Sequence, residues 1–293
     1  MMDQAETLRN IVKLQNQKLV LNARVIAVTS GKGGVGKSNT SINLALQFRK
    51  MGKRVVILDA DFGLANVEVM FGIIPKYNLG DLMFKGMEIK EIITQGPEGV
   101  GFISGGSGIA KLVNLDKEQV KRLVGKLSQL EEFADVIIID TGAGISPAVM
   151  EFLVACPETI LVTTPEPTSV TDSYALLKAL SMNESYDAEN NKIKMIANRV
   201  SSETEGKNLY EKLNAVVSKF LNIKMEYLGM VLYDDNITRA VMKQKPIMLM
   251  YPNSAAARCY QNIAEVLENG HTVSKNIGVR NFFRNVFSRK IKQ

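Results

Sequence analysis

Short apolar runs alternate along the chain with longer stretches in which apolar residues recur at helical spacing. The short runs are rich in β-branched residues and have the length of buried strands. They are Val25–Val28, Arg54–Leu58, Gly101–Ser104, Asp135–Ile139, Glu158–Val162, Lys192–Asn198 and Tyr227–Val231. The helical stretches are Asn39–Met51, Lys117–Glu132, Ala148–Ala155, Thr168–Asn183, Lys207–Leu221 and Ser254–Glu268. This alternation predicts an α/β fold, a mainly parallel twisted sheet of about seven or eight strands wrapped by helices.

The C-terminal stretch from Asn276 to Gln293 combines an apolar helical stripe with cations at the other positions. A basic helix with an aromatic apolar face is typical of helices that lie in a membrane surface, and cytoplasmic leaflets are anionic. The pattern predicts a reversible anchor on an anionic membrane, although a helix packed on the body or a solvated tail also fits it. The predicted membrane residues are Val279, Arg280, Phe282, Phe283, Arg284, Val286, Phe287, Arg289 and Lys290.

The first residues of the chain are polar apart from a helical stripe of Leu8, Ile11, Val12 and Leu14. They precede the first predicted core strand, so the fold does not need them. A segment of this composition can order itself only on meeting a partner. We therefore divide the chain into an N-terminal extension at 1–21, an α/β domain at 22–268, and a linker with an amphipathic helix at 269–293.

Composition narrows the class of protein. The 293 residues are 46% hydrophobic, which is ample for a core, yet no run of eighteen apolar residues and no signal pattern occur. We therefore expect a cytoplasmic protein. Cys156 and Cys259 stand alone without a C-x-x-C motif, which argues against a structural zinc or iron–sulfur site within one chain.

The net charge of +6 is concentrated at the C-terminus. After Glu268 the chain contains no acid and six cations, so the rest of the chain is formally neutral. A neutral body argues against broad coating of DNA, and no nucleic-acid partner is expected, although a local basic patch remains open.

The stretch GKGGVGKS, from Gly31 to Ser38, fits the phosphate-loop pattern G-x-x-x-x-G-K-[ST]. It follows a predicted strand and opens a predicted helix, where backbone N–H groups and the helix dipole favour anions. Lys37 is expected to reach the β- and γ-phosphates, and Ser38 to ligate Mg²⁺. The expected nucleotide-binding residues are Gly31, Lys32, Gly33, Gly34, Val35, Gly36, Lys37, Ser38 and Asn39.

Three acids stand at the ends of predicted strands: Asp59, Asp61 and Asp140. Alternate residues of a strand face the same way, and doubly wound sheets bind ligands at the carboxyl ends of their strands. We interpret Asp59 and Asp140 as magnesium-shell residues and Asp61 as the catalytic residue that orients the attacking water. Ordinary turn residues are the alternative interpretation.

Two further stretches follow predicted strands. In the first, Ala197–Arg199, Asn198 could hydrogen-bond the adenine edge while Arg199 packs near the ring. In the second, Thr163–Ser169, the prolines mark either a nucleotide-sensing loop or only a helix start with Thr168 or Ser169 as N-cap.

The motifs KGGVGKS, DADFGLANVE and IIIDTGAG resemble those of the MinD/ParA family of deviant phosphate-loop ATPases, over about residues 22 to 268. The resemblance implies the cofactors ATP and Mg²⁺, a P-loop fold, ATP hydrolysis and an ATP-dependent homodimer. It also implies that Lys32 is the signature lysine that reaches across the dimer to the partner's phosphates. Such a cation delivered in trans would act as an arginine finger does, so Lys32 joins Lys37 and Asp61 as a catalytic residue.

Within that family the chain resembles the flagellar-number regulators of the FlhG group. Two features carry this narrower likeness: DQAETLR at Asp3–Arg9 and the basic aromatic tail. It implies that the N-terminal element stimulates the GTPase FlhF, and that flagellar switch-complex proteins are further partners. It also implies that the protein is peripheral on the inner face of the cell membrane. The residues that match the element are Asp3, Gln4, Ala5, Leu8 and Arg9.

Three alternatives remain open at this point: a MinD-type ATPase of division-site selection, a ParA-type ATPase of DNA segregation, and a binding module with an inactive site. The neutral body disfavours the second. The third is disfavoured by the complete set of Lys32, Lys37, Ser38, Asp61 and Asp140.

Overall fold

The computed structural model describes residues 23–61, 66–106, 117–270 and 278–288. Within them, eight strands form one sheet: β1 (Arg24–Ser30), β2 (Val55–Ala60), β3 (Thr94–Gln95), β4 (Gly101–Ile103), β5 (Val136–Ala143), β6 (Glu158–Thr163), β7 (Lys192–Val200) and β8 (Met225–Leu232). Their order across the sheet is β3-β4-β2-β5-β1-β6-β7-β8. Every neighbouring pair is parallel except the short β3 with β4.

Helices connect and cover the strands. The longer ones are α1 (Lys37–Lys50), α5 (Lys117–Ser128), α7 (Pro147–Ala155), α8 (Pro167–Ser181), α9 (Glu203–Phe220), α12 (Ala255–Asn269) and α13 (Val279–Ser288). The shorter ones are α2 (Asn66–Phe71), α3 (Leu79–Phe84), α4 (Ile89–Ile92), α6 (Leu130–Phe133), α10 (Asp235–Met242) and α11 (Ile247–Met250).

The predicted α/β architecture is confirmed, because each of the seven predicted runs overruns its strand by at most one residue, and each predicted helical stretch overruns its helix by at most two residues, except that Lys117–Glu132 is divided between α5 and α6. The eighth strand, β3, was missed because two residues carry no periodicity. The short helices α2, α3, α4, α10 and α11 were missed because one or two turns carry too little periodicity.

The central strands are buried on both faces, which explains their nearly continuous apolar sequences. Along β1, Val25 and Ala27 pack on one face of the sheet, and Ile26 and Val28 pack on the other. The first face is covered mainly by α5, α7, α8, α9 and α13, and the second mainly by α1 and α12.

The C-terminal helix α13 packs on the body against α5 and α7. All five apolar residues of the predicted membrane face are buried: Val279, Phe282, Phe283, Val286 and Phe287. Arg280 and Arg284 are exposed, whereas Arg289 and Lys290 lie outside the described residues. None of the described helices has both the length and the hydrophobicity needed to cross a membrane. The amphipathic helix is therefore confirmed, but its apolar face is covered by the protein itself.

Two contacts fix α13 in this position. The rings of Phe282 and Phe152 of α7 lie with centroids 6.3 Å apart. The backbone N–H of Val279 donates to Glu131 Oε1 at 2.7 Å, so a carboxylate from α6 caps the N-terminus of α13. Such a contact satisfies an end N–H group and complements the positive end of the helix dipole.

A buried ion network lies at the opposite end of the strands from the phosphate loop. Arg24 donates two hydrogen bonds of 2.8 Å to the carboxylate of Glu158, and Lys194 donates a third at 2.7 Å. The three side chains are only 6%, 9% and 10% exposed. Burial by itself would raise the pKa of Glu158, but Arg24 and Lys194 together hold it below its ordinary 4.5.

We predict that Glu158→Gln lowers the free energy of unfolding by about 3 kcal/mol at pH 7, since it leaves the buried Lys194 without a counter-charge and Arg24 with only Glu268, 3.8 Å away. Urea denaturation measures this. Because the folded pKa is depressed, the carboxylate stabilises the fold above pH 4.5, and this contribution is lost as the pH falls through the folded pKa. The difference between the two proteins should therefore shrink in acid.

The control is Glu203→Gln, in an exposed pair with Lys207, which should barely move the midpoint. A difference that grows in acid would contradict the assignment.

Candidate functional site

The phosphate loop joins the end of β1 to the start of α1 and is seated on a neighbouring helix. A Cβ at Gly31 would lie 2.1 Å from the backbone carbon of Asp172 in α8, so only glycine fits there. Gly34 and Gly36 have φ angles of 74° and 103°, in the left-handed region that favours glycine. Gly33 and Gly34 are exposed, whereas Val35 is buried and anchors the loop in the core.

The start of α1 offers an anion site. No side chain caps this helix, and its first turn carries no acid. Its first N–H groups are therefore available to phosphate oxygens, and the helix dipole favours negative charge there. Lys37 is buried at the first position, and Ser38 and Asn39 follow it, half-buried. The structure thus places these three residues together at the N-terminus of α1.

Asp140 and Asp59 occupy paired positions on β5 and β2. Asp140 is fully buried, and its Oδ1 accepts a 2.8 Å hydrogen bond from Ser41. Burial raises the pKa of Asp140, while Ser38, Ser41 and the charge of Lys37 lower it in part. Burial, followed by the charge of Asp140, raises the pKa of Asp59 to about 7.

Asp59 makes different contacts from those expected of a magnesium-shell residue. Its Oδ1 accepts the N–H of Asp61 at 3.2 Å and its Oδ2 the N–H of Val67 at 3.1 Å. Both oxygens are thus engaged by backbone on either side of residues 62–65, which lie outside the described residues. The sequence interpretation missed this role, in which Asp59 holds the segment that carries Asp61.

Asp61 stands just beyond β2, half-buried and close to the end of β5. Asn66 at the start of α2 donates to its Oδ2 at 3.0 Å. Its Oδ1 lies 3.5 Å from where a Cβ of Gly142 would be, so the carboxylate faces the strand that carries Asp140. This placement suits a residue that orients a water near the γ-phosphate.

The donor set fits magnesium. Asp140 Oδ2 is buried without a hydrogen-bond partner among the described residues. The same residues contain no cluster of three or more His, Cys, Asp or Glu side chains arranged to hold a metal. Mg²⁺ retains several waters and is held by one or two protein oxygens together with substrate phosphates, so it does not require such a cluster. Ser38 and the open oxygen of Asp140 could therefore hold it.

Lys32 lies on the rim of the loop, away from Lys37. Its Nζ donates to Glu166 Oε2 and to Thr168 Oγ1, both at 2.8 Å. Its hydrogen bond and charge lower the pKa of Glu166. The segment Thr163–Ser169, expected to sense nucleotide or only to start a helix, thus reaches the loop through Glu166, and the N-cap of α8 is Glu166 rather than Thr168 or Ser169.

Asn198 and Arg199 at the end of β7 contact the loop directly. Asn198 Nδ2 donates to the carbonyl of Val35 at 2.6 Å, and Arg199 Nη2 donates to that of Gly34 at 2.8 Å. Asn198 Oδ1 is buried and has no hydrogen-bond partner among the described residues, so an unsatisfied acceptor lies beside the loop. The structure therefore brings both residues to the site.

Sequence reasoning missed Ser41, Asn66 and Glu166. The only signal for Ser41 was its spacing of four from Lys37, which places both on one side of α1. Asn66 and Glu166 gave no signal of their own. The predicted partner-binding residues from Asp3 to Arg9 lie outside the described residues.

Comparisons with known proteins agree with this geometry. The profile of the ParA family, described as NUBPL iron-transfer P-loop NTPase, matches residues 22–268. The antiactivator FleN of Pseudomonas aeruginosa is 38% identical over 260 residues, covering 89% of this chain and 91% of FleN. The flagellum site-determining protein YlxH of Helicobacter pylori is 33% identical, covering 97% of this chain and 98% of YlxH. The septum site-determining protein MinD of Synechocystis is 31% identical, with 84% and 89% covered.

Solved structures share the fold. MinD in the MinC:MinD complex of Aquifex aeolicus superposes with a TM-score of 0.68 at 21% identity, covering 86% of this chain and 98% of that one. MinD of Pyrococcus horikoshii complexed with Mg-ADP gives 0.65 at 23% identity, covering 84% and 96%. With the profile match and the three relatives above 30% identity, the phosphate loop and its acids identify the chain as a member of the ParA/MinD family of P-loop NTPases, and an ATPase.

Proposed function

We propose that this chain is an ATP-dependent dimerising switch that regulates the number and placement of flagella. The observation that carries the switch is the separation of its two loop lysines. Lys37 is buried at the start of α1, where it would face the nucleotide of its own chain. Lys32 is held at the exposed rim of the loop, from which its ammonium group could reach a second subunit. The flagellar role is supported by relatives named as an antiactivator FleN and a flagellum site-determining protein.

The residues of one chain bind and orient the nucleotide. The free N–H groups of α1 and Lys37 bind the phosphates, and Asn198 Oδ1 accepts from the adenine. Mg²⁺, when bound, neutralises charge on the β- and γ-phosphates; Ser38 would ligate it and Asp140 would hold its water. Asp61, held by Asn66, orients the attacking water.

Lys32 acts on the partner's nucleotide. Charge spreads over the γ-phosphoryl oxygens during transfer, so an additional cation stabilises the transition state. To supply this cation, Lys32 gives up its exposed ion pair with Glu166 and its hydrogen bond to Thr168. It contacts the phosphates of the partner's nucleotide instead. ATP then holds two subunits together face to face, and hydrolysis separates them. The signal is carried by the ATP-bound dimer rather than by the rate of ATP turnover.

The C-terminal helix couples this switch to the membrane. Its apolar face is buried against α5 and α7, so it can enter an anionic membrane surface only after leaving the body. Two helices presented by one dimer bind more tightly than one through multivalency. The protein would thus be cytoplasmic and reversibly peripheral on the inner face of the cell membrane.

The N-terminal element supplies the flagellar partner. Asp3, Gln4, Ala5, Leu8 and Arg9 match the element that in the FlhG group stimulates FlhF, and switch-complex proteins would be further partners. A MinD-type role in division-site selection is the second candidate, supported by the 31% identity to a septum site-determining protein. A ParA-type DNA function is disfavoured by the neutral charge of residues 1–268.

We predict that Lys32→Ala remains a monomer with a non-hydrolysable ATP analogue, because no cation then reaches the partner's phosphates. Light scattering after gel filtration measures the mass. Asp61→Ala, which keeps both lysines, is the matched control and should accumulate as a dimer with ATP. A monomeric Asp61→Ala protein at saturating ATP would refute the switch.

A second prediction concerns the cap on α13. Glu131→Ala removes the acceptor of the Val279 N–H, and such a cap is worth about 1 kcal/mol, so nucleotide-free binding to anionic liposomes should rise roughly fivefold. Co-sedimentation measures it. Glu132→Ala makes the same change in net charge next to it and should leave binding unaltered. Equal binding of both variants would show that release of α13 does not limit membrane association.

The third prediction separates the flagellar from the division role. A chain lacking residues 2–9 should lose its stimulation of GTP hydrolysis by FlhF and retain ATP-dependent dimerisation, since these residues lie outside the ATPase domain. GTP turnover of FlhF with each chain is the measurement. Undiminished stimulation by the shortened chain would show that residues 2–9 are not the activating element, whereas a full-length chain that leaves GTP turnover by FlhF unchanged would favour the MinD-type alternative.

A further inference from the structure

The hydroxyl of a serine outside the phosphate loop contacts Asp140, the buried acid of β5. Ser41 of α1 donates from Oγ to Asp140 Oδ1 at 2.8 Å, and both residues are fully buried. The other oxygen, Asp140 Oδ2, has no hydrogen-bond partner within the described part of the chain. The two oxygens of this carboxylate are therefore not equivalent: one is anchored and the other is open.

An unanchored carboxylate would have competing orientations at this position. The last torsion of an aspartate side chain is broad and roughly two-fold, so intrinsic preference does not choose between them. Lys37 and Ser38 at the start of α1 are competing donors near Asp140, and either could draw an oxygen toward itself. The bond from Ser41 holds Oδ1 and thereby fixes which way Oδ2 points.

The position of Ser41 makes it a rigid anchor. It lies one helical turn beyond Lys37, within the helix whose N-terminus forms the phosphate site. Asp140 is held in turn by β5, between β1 and β2. Helix and strand are both packed in the core, so the bond joins two elements that move little relative to one another.

We propose that Ser41 is a positioning residue that directs Asp140 Oδ2 toward the water shell of the nucleotide-bound magnesium. This rests on the magnesium role of Asp140 proposed above. Losing a hydrogen bond that orients a metal-shell carboxylate commonly lowers metal affinity by roughly 10- to 100-fold, although the bond itself does not contact the metal. We expect an effect of that order here. A serine that merely satisfied a buried carboxylate would stabilise the fold equally with and without magnesium.

The test is the magnesium dependence of nucleotide binding, measured with a fluorescent ADP analogue on the full-length chain. In EDTA, Ser41→Ala should bind this analogue as the unmodified chain does. Its half-saturating Mg²⁺ concentration should rise at least tenfold, on the order of the effect of losing such an orienting bond. Ser41→Thr, which keeps the hydroxyl, should restore the dependence, and Ser41→Cys, which keeps the volume with a weaker donor, should be intermediate.

Thr159→Val is the control, since it removes another buried hydroxyl, on β6 and without a hydrogen-bond partner among the described residues. It should leave the magnesium titration unchanged. An unchanged half-saturating concentration in both Ser41→Ala and Ser41→Cys would overturn the inference, as would an equal loss of affinity in EDTA and in magnesium. If the unmodified chain itself gains no affinity from magnesium, the proposed function is what fails.

Discussion

The parallel pairing of β5 with β1 on one side and β2 on the other is the constraint on which the site depends. Parallel strands bring their carboxyl ends to one edge of the sheet, so residues far apart in sequence meet there. Asp59 and Asp140 become direct neighbours, and the N–H of Gly144 bonds the carbonyl of Ser30 at 2.9 Å where the loop begins. The loop, the acids and α1 therefore share one rigid frame.

This frame concentrates negative charge in a buried place. Burial raises the pKa of both Asp59 and Asp140; the charge of Asp140 further opposes ionisation of Asp59, and the charge of Asp61 opposes ionisation of Asp140. Lys37 and the open N-terminus of α1 supply the opposing positive field. A phosphate group would complement the positive field of Lys37 and α1, and a divalent cation would complement the negative field of the aspartates. Nucleotide binding and magnesium binding are thus expected to be thermodynamically linked.

In the switch proposed above, the amphipathic face of the C-terminal helix would serve two surfaces in turn, the protein body and the membrane. Five apolar side chains are removed from water by α5 and α7, and the cations Arg280 and Arg284 remain exposed. The same side chains cannot be buried in protein and in lipid at once, so the two states exclude each other. The difference in free energy between them can then be small, because apolar area is buried in both. A modest change elsewhere in the molecule is enough to shift such a balance.

The sequence by itself determined the strands, the long helices, the phosphate loop and the acids at the strand ends. These features depend on local patterns in the sequence. A strand buried on both faces is a continuous apolar run, and a phosphate loop is built from consecutive residues. Tertiary structure alone decided that Ser41 anchors Asp140, that Glu166 holds Lys32, that Asp59 grips backbone on both sides of residues 62–65, and that the face of α13 is covered. Each of these is a contact between elements whose proximity is set by how the chain packs, and periodicity along the chain carries no information about which distant residue faces a given side chain.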